Sequence, residues 1–366
     1  MTRLSGCLAG IEPARVCIIK PSSLGDVVHA LPILSALRGV WPSAHLTWVV
    51  NAPFREVLLG HPDLDELIVY DRKGRGLDRR GIGGMAGVLA KLGRGRYDVT
   101  IDLQGLLRSA LMAAATRAKV RVGMADAREG ARWFYTHRVD APRLGLHAVE
   151  RVLRVAAALG ADVSDPCFNL PIAEKDRSWA TVVLAAVPRP RVILNLGARW
   201  LTKRWPPEHY AEIGRRAVSK FGGGLIAVGA SEDRPLVDAL ARHIAPLRVL
   251  DLCGQTRLPQ LAALSLGADL MISNDTGPLH LASAAGARVL GIYTCTSPRL
   301  TGPFGPQVTT VQSCIWCAPS FLKNCNRLDC MTQLSPDHVW PAAHDQIELA
   351  LESIPASRDA AELRAK

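Results

Sequence analysis

The run Val16-Cys-Ile-Ile-Lys20-Pro-Ser-Ser-Leu-Gly-Asp26-Val-Val-His-Ala-Leu-Pro32 passes from an apolar stretch through a turn of small residues into a helical pattern. Residues 16–20 read as a strand covered on both faces, because their apolar side chains are continuous rather than alternating. Gly25 permits a tight turn, Ser22 and Ser23 let a ligand come close, and Asp26 stands where the helix of residues 27–39 begins. A strand, a turn and a helix in that order open a parallel α/β unit, whose ligands bind beyond the carboxyl ends of the strands. The turn lacks G-x-G-x-x-G, so it is not a dinucleotide fingerprint.

Outward from this run the alternation continues. Residues 46–50, 67–70, 99–103 and 120–124 read as further strands of the first half, with helices at 106–116 and 147–159. Residues 192–196, 225–228, 249–252, 270–273 and 289–293 repeat the pattern in the second half, with helices at 208–220, 233–243, 258–266 and 278–285. The two series predict two doubly wound, Rossmann-like domains facing each other across a cleft, over residues 1–175 and 190–345, with 346–366 as a terminal helix and tail. Pro188-Arg189-Pro190-Arg191 reads as the linker.

The chain has 366 residues, 48% hydrophobic and 21% charged, which fits two globular domains and excludes a disordered chain. No run of about 18 apolar residues occurs, so no transmembrane helix is expected. Lys+Arg exceed Asp+Glu by 44 − 33 = 11. Residues 72–96 hold eight basic residues against Asp78, interleaved with glycines, and read as a mobile basic loop beside a short helix. Such a loop suits an anionic partner or is simply a solvated face. Nucleic acid is a poor candidate, since aromatics are 5% and no basic strand is studded with them. Leu4-Ser5-Gly6-Cys7 resembles a lipoprotein box, but six residues precede the cysteine where an apolar region of about 7–15 is needed. Nine cysteines without an export signal point to a reducing cytoplasm.

The strand ends carry the candidate chemistry. Asp26 is either a helix cap or a carboxylate able to take a proton. Gly197-Ala-Arg-Trp-Leu-Thr-Lys203-Arg-Trp-Pro206 offers Lys203 to a diphosphate, or to solvent. Ser273-Asn-Asp275-Thr276-Gly277-Pro-Leu-His280 runs from strand to helix, where free amides and the helix dipole favour phosphate. Glu232, just beyond another strand, is placed to accept ribose hydroxyls, unless Ser231 or Asp233 merely caps a helix there. Cys314, Cys317, Cys325 and Cys330 can bind zinc, pair as disulfides or pack as thiols, and their spacing lacks the paired C-x2-C form.

Lys20–Pro32, Asp102-Leu-Gln-Gly105, Lys203-Arg-Trp-Pro206 and Ser273–His280 together resemble glycosyltransferase family 9, the ADP-heptose:lipopolysaccharide heptosyltransferases. Thr301-Gly-Pro303 and the cysteines ending Cys330-Met331 resemble that family's C-terminal region, so the likeness spans roughly residues 15–340. It implies a GT-B architecture with the final helix packing back on the first domain. It also implies inverting transfer of L-glycero-D-manno-heptose from ADP-heptose, with no cofactor and no metal. Asp26 then matches the general base, Lys203 the diphosphate site, Glu232 the ribose site, and Asp275, Thr276, Gly277 and His280 the donor loop. Ser22 and Ser23 then fall in the loop facing the acceptor, and the basic stretch with Arg72 and Lys73, helped by Arg121, suits an anionic Kdo and lipid A glycolipid at the inner leaflet. The resemblance implies a monomer, cytoplasmic and peripheral to the membrane, and Asn274–Pro278 looks like the heptosyltransferase II type. Two other readings are a GT-B transferase using another nucleotide sugar and a non-catalytic paralogue that binds nucleotide sugar or envelope lipid.

Overall fold

The computed structural model describes residue 8 and residues 10–71 and 79–353. The lipoprotein-like box at 4–7, Arg72, Lys73 and the tail at 356–366 lie outside the described residues. The chain divides into two compact units, Met1–Pro171 and Ile172–Lys366.

In the first unit, β1 (Arg15–Ile19), α1 (Leu24–Ala30), α2 (Pro32–Val40), β2 (His45–Asn51) and β3 (Glu66–Tyr70) are followed by α3 (Arg79–Arg94), β4 (Val99–Asp102), α4 (Leu107–Ala115), β5 (Val120–Met124), β6 (His137–Val139) and α5 (Ala148–Ala158). The strands form one parallel sheet in the order β3-β2-β1-β4-β5-β6. The second unit runs α6 (Glu174–Ala185), β7 (Arg191–Asn195), α7 (Pro207–Phe221), β8 (Gly224–Val228), α8 (Arg234–Ile244), β9 (Val249–Asp251), α9 (Leu258–Gly267) and β10 (Leu270–Asn274). It ends with α10 (Gly277–Ala284), β11 (Val289–Tyr293), α11 (Pro298–Thr301), β12 (Val308–Gln312), α12 (Asp329–Gln333) and α13 (Pro336–Glu352). Its parallel order, β12-β11-β10-β7-β8-β9, is the same pattern, with the first strand of each unit beside its fourth. Each sheet is thus the doubly wound type expected from the strand–helix alternation.

Several boundaries differ from the sequence reading, each for a physical reason. The helix expected over residues 27–39 is two helices, because Pro32 has no amide hydrogen to give and starts α2 instead. Within the basic segment at 72–96, α3 is a helix of 16 residues despite its glycines. Val88 and Leu92 are buried with Tyr70, Tyr97 and Met112, and that burial outweighs the poor helix propensity of glycine.

The linker lies elsewhere than at Pro188–Arg191. The unit boundary falls at Pro171, and Arg189 is tied into the second unit by its pairing with buried Asp269, which also accepts the Arg191 N–H at 2.7 Å. Residues 346–352 belong to the second unit. They finish α13, whose Val339, Ala343 and Ile347 are buried in the core that includes Leu194, Ile213 and Ile272. The short strands β6 and β12 escaped the sequence reading, since three residues in one case and half-buried positions in the other give no clear apolar run.

Gly223 shows how closely the Pro190 segment is seated. Its φ is +82°, and a Cβ there would lie 2.2 Å from the Pro190 carbonyl oxygen. The left-handed backbone alone penalises an L residue by about 1–2 kcal/mol, so Gly223→Ala should lower the melting temperature by about 2–8 °C at about 2–4 °C per kcal/mol. Gly39, within α2 and with nothing inside 4 Å of its Cβ position, is the control. Gly39→Ala should leave stability unchanged or raise it by about 0.5–1 kcal/mol. Calorimetric melting of both variants checks the difference.

Candidate functional site

Where strand order reverses, neighbouring crossovers leave the sheet on opposite faces and open a crevice at the strand ends. In the first unit that point lies between β1 and β4, where Ile19 is in register with Asp102. The chain beyond β1 carries Lys20, Ser22, Ser23 and Asp26. The chain at the end of β4 carries Asp102 and Gln104.

Asp26 occupies the third position of α1, with Ser23 as the cap. Its Oδ2 accepts the Ser23 N–H at 2.9 Å and the Ser23 hydroxyl at 2.6 Å. The Lys20 ammonium stands 3.9 Å from Oδ1, and half of the Asp26 side chain is exposed. Asp26 therefore closes the helix start while half of its side chain stays exposed. Desolvation works against its ionisation, but the Lys20 charge, the two Ser23 bonds and nearby His29 prevail and hold its carboxyl below the ordinary value.

Lys20 was named in the sequence only as part of a motif. It is buried, donates to the Leu103 carbonyl at 3.0 Å, and has its pKa lowered by burial against the opposing pull of Asp26 and Asp102. Asp102 is fully buried. Its Oδ1 accepts the Gln104 and Gly105 amides at 2.9 and 3.1 Å, and its Oδ2 accepts the Tyr135 hydroxyl at 2.7 Å. Burial raises the Asp102 carboxyl even against those bonds. Gln104 Oε1 accepts the Ser22 N–H at 3.3 Å, which joins the two strand ends. A polar residue inside an apolar run, as Asp102 is within Val-Thr-Ile-Asp-Leu, was the available signal for this network. Arg121, on β5, donates from Nε to the Phe134 carbonyl at 2.9 Å and from an Nη to the Ala118 carbonyl at 2.7 Å. It braces the chain beside β5, a structural task that the sequence did not reveal.

In the second unit the reversal lies between β7 and β10, where Asn195 is in register with Ser273. Here Lys203, Asp275 and His280 come together. The Lys203 ammonium lies 2.5 Å from Asp275 Oδ2 and His280 Nε2 lies 3.3 Å from Oδ1. Thr296 adds a hydroxyl bond of 2.6 Å to Oδ2. Asp275 is buried, which opposes its charge, but the His280 bond and the Lys203 ammonium hold its carboxyl well below the usual range. Lys203 also lies 4.7 Å from the Trp200 ring centre, and Lys323 lies 5.6 Å from it.

Thr276 caps α10, with Gly277 and Pro278 in its first turn. Asn195 Nδ2 donates to Ser273 Oγ at 2.8 Å and to Thr276 Oγ1 at 3.3 Å, fixing the turn before the helix. Asp275 holds Lys203 and His280 in direct contact beside the positive end of the α10 dipole. Glu232 is exposed in the turn Ser231–Asp233 and accepts the Ser231 hydroxyl at 3.2 Å. Asp233 does the capping there, accepting the Ala230 N–H at 3.0 Å, which leaves the Glu232 carboxylate for another partner. Trp205 forms part of the core, its Nε1 donating to the Leu334 carbonyl at 2.6 Å. Asn195 and Thr296 were missed in the sequence, where isolated Asn and Thr residues have many roles.

Cys314, Cys317, Cys325 and Cys330 are free thiols of unequal exposure. No three of them bring their sulfurs within 4.8 Å of one another. Among the described residues that criterion is met by His344, Asp345 and Glu348 on α13.

Residues 85–331 match the model of glycosyltransferase family 9 (heptosyltransferase). The chain is 30% identical over 319 residues to lipopolysaccharide heptosyltransferase 1 of Pseudomonas aeruginosa, covering 85% of this chain and 87% of that one. Among solved structures, a glycosyl transferase of family 9 from Veillonella parvula is similar with a TM-score of 0.80 at 25% identity, over 93% of this chain and 98% of that one. Escherichia coli heptosyltransferase WaaC, solved with ADP, is similar with a TM-score of 0.72 at 24% identity, over 91% and 99%. The fold is the α/β fold of the GT-B heptosyltransferases.

Removing one partner of a buried ion pair destabilises by about 3–5 kcal/mol, because it strands the other charge. Lys203→Ala should therefore unfold in less denaturant than the parent chain. The additional change Asp275→Asn should recover part of the loss. A double-mutant cycle by chemical denaturation should give a coupling energy above about 1 kcal/mol; additive effects would contradict the pairing.

Proposed function

The chain belongs to glycosyltransferase family 9, the heptosyltransferases, and from that premise we propose that it transfers L-glycero-D-manno-heptose from ADP-heptose to the inner core of lipopolysaccharide, with inversion and without a metal. The observation that carries this reading is Asp26: a half-exposed carboxylate at the switch point of the first sheet, held ionised by Lys20 and Ser23.

Inversion requires one base to take the acceptor hydroxyl's proton while ADP departs from the opposite face of the sugar. Asp26 is that base. Its lowered pKa keeps it in the proton-accepting form at neutral pH, and the proton passes to it as the new glycosidic bond forms. Ser22 and Ser23 line the approach of the acceptor. Lys203 and the first turn of α10 take up negative charge on the departing diphosphate, which supports transfer without a metal. Thr276 and Gly277 border that turn, His280 is held by Asp275, and Glu232 accepts the ribose hydroxyls. The acceptor is an anionic glycolipid of the Kdo and lipid A type, met at the cytoplasmic face of the membrane by a monomeric, peripherally bound enzyme. No helix among the described residues is long and apolar enough to cross a membrane. The basic stretch that includes Arg72 and Lys73 contributes charge toward the acceptor.

Asn274–Pro278 resembles the heptosyltransferase II type, whereas the relative at 30% identity carries the type 1 name. Acceptors ending in Kdo and in heptose, assayed side by side with ADP-heptose, decide the subtype. No transfer to either, with tight binding of a different nucleotide sugar, overturns the donor.

Two kinetic outcomes follow from Asp26. Asp26→Asn should lower kcat by about 10²–10⁴-fold while ADP affinity measured by calorimetry stays within about threefold; full activity would remove the base. For the pH profile, a depressed carboxyl stays ionised above its folded pKa, so kcat/KM should have no acid limb from this group between pH 5 and 8. Activity should fall only below about pH 4, near and under the ordinary Asp value. Lys20→Met removes the charge that most lowers this pKa and should move the acid limb upward.

A further inference from the structure

Outside the strand-end site, the first unit carries an exposed apolar cluster set among arginines. The helical turn Ala131–Phe134 presents Trp133, 59% exposed. The Arg132 and Arg138 guanidiniums lie 4.9 and 5.3 Å from its ring centre. Arg138 is also fixed in place, its Nε donating to the Arg132 carbonyl at 3.0 Å. Helix α4 packs on this turn through Ala110 and Ala131, both buried with Tyr135. Flanking that contact on α4 are Leu107 and Leu111, 41% and 44% exposed and one helical turn apart. Arg108 and Arg128 are exposed alongside, while the nearby acid Glu129 accepts the Leu107 N–H at 3.2 Å. None of these four arginines forms an ion pair among the described residues. Arg121, bonded to the Phe134 carbonyl, braces the turn from beneath.

We infer that Trp133, Leu107 and Leu111, rimmed by Arg108, Arg128, Arg132 and Arg138, form the surface by which the protein docks on an anionic lipid bilayer. An indole and two leucines standing out of a folded surface bury apolar area at the headgroup boundary, where Trp is favoured. The guanidiniums around them retain donors for lipid phosphates, which they bind in a forked geometry. Each such cation near an anionic leaflet adds to the attraction. Three apolar side chains make a patch smaller than a stable protein interface needs, and four unpaired arginines would oppose pairing with a second copy. The inference rests on the glycolipid-acceptor reading and adds the face through which that acceptor's membrane is met.

The test is flotation of the full chain with vesicles of phosphatidylcholine alone and of phosphatidylcholine with 30% phosphatidylglycerol. The parent should bind the anionic vesicles at least tenfold better, and added salt should weaken that binding. Trp133→Ser, and separately Leu107→Ser with Leu111→Ser, should each lose tenfold or more, with ADP binding by calorimetry retained as evidence of folding. Arg132→Gln with Arg138→Gln should abolish the preference for anionic vesicles. Equal binding to both vesicle types, or Trp133→Ser binding as the parent does, overturns the inference. So does light scattering that shows a dimer which Trp133→Ser dissolves. Transfer to a deacylated, soluble acceptor separates the two readings. If the parent transfers heptose to it but vesicle binding ignores Trp133, the docking surface falls and the proposed function stands. If vesicle binding depends on Trp133 while no acceptor receives heptose, the docking surface stands and the proposed function falls.

Discussion

A parallel sheet whose crossovers are all right-handed must change faces where its strand order reverses, and the backbone then leaves an opening at the ends of the two central strands. Both sheets of this protein have that reversal, between β1 and β4 and between β7 and β10. The charged networks of Asp26, Asp102 and Asp275 lie at those two places. In the first unit Lys20 and Asp26 follow β1 and Asp102 ends β4. In the second, Lys203 follows β7 while Asp275 and His280 follow β10. The loops differ in sequence and length, but the constraint that collects them is the same.

The two openings handle buried charge differently. Asp275 is enclosed and fully ionised because a lysine, a histidine and a threonine hydroxyl surround it. Asp102 is just as enclosed, yet its bonds come from neutral donors, two amides and the Tyr135 and Ser109 hydroxyls, and burial raises its pKa despite them. Cationic partners in direct contact therefore outweigh desolvation where neutral donors do not. Between these cases stands Asp26, half exposed and bonded to Ser23, with Lys20 close enough to lower its pKa but too far for a direct hydrogen bond. That arrangement keeps the carboxylate charged and its side chain half exposed, as the proposed proton acceptor requires.

The docking surface has a different origin from the strand-end sites. Its apolar residues come from α4 and from a turn between β5 and β6. Tyr135 links the two, since its hydroxyl serves Asp102 while its ring packs with Ala110 and Ala131 under the exposed cluster. The same short segment thus supports the crevice on one side and the surface on the other.

Strand and helix identity was largely legible from the chain, because parallel strands covered on both faces read as unbroken apolar runs such as Val-Ile-Leu and Leu-Ile-Ala-Val. The residues of the second site were legible too: Lys203, Asp275 and His280 sit beside turns whose glycine and proline mark a strand giving way to a helix. Less was legible wherever the deciding partner is distant in sequence. Pro188–Arg191 has the composition of a linker and becomes core-bound through Asp269, some 80 residues away. Glycines in α3 read as a loop until Val88 and Leu92 find Tyr70 and Tyr97. Arg121 reads as a free cation until two carbonyls claim it. The sequence by itself determined the doubly wound class and the turns at which chemistry is possible, because both are written in local pattern. Only the tertiary structure decided which charges are paired, which are buried and which face solvent, since those depend on neighbours that the chain brings together by folding.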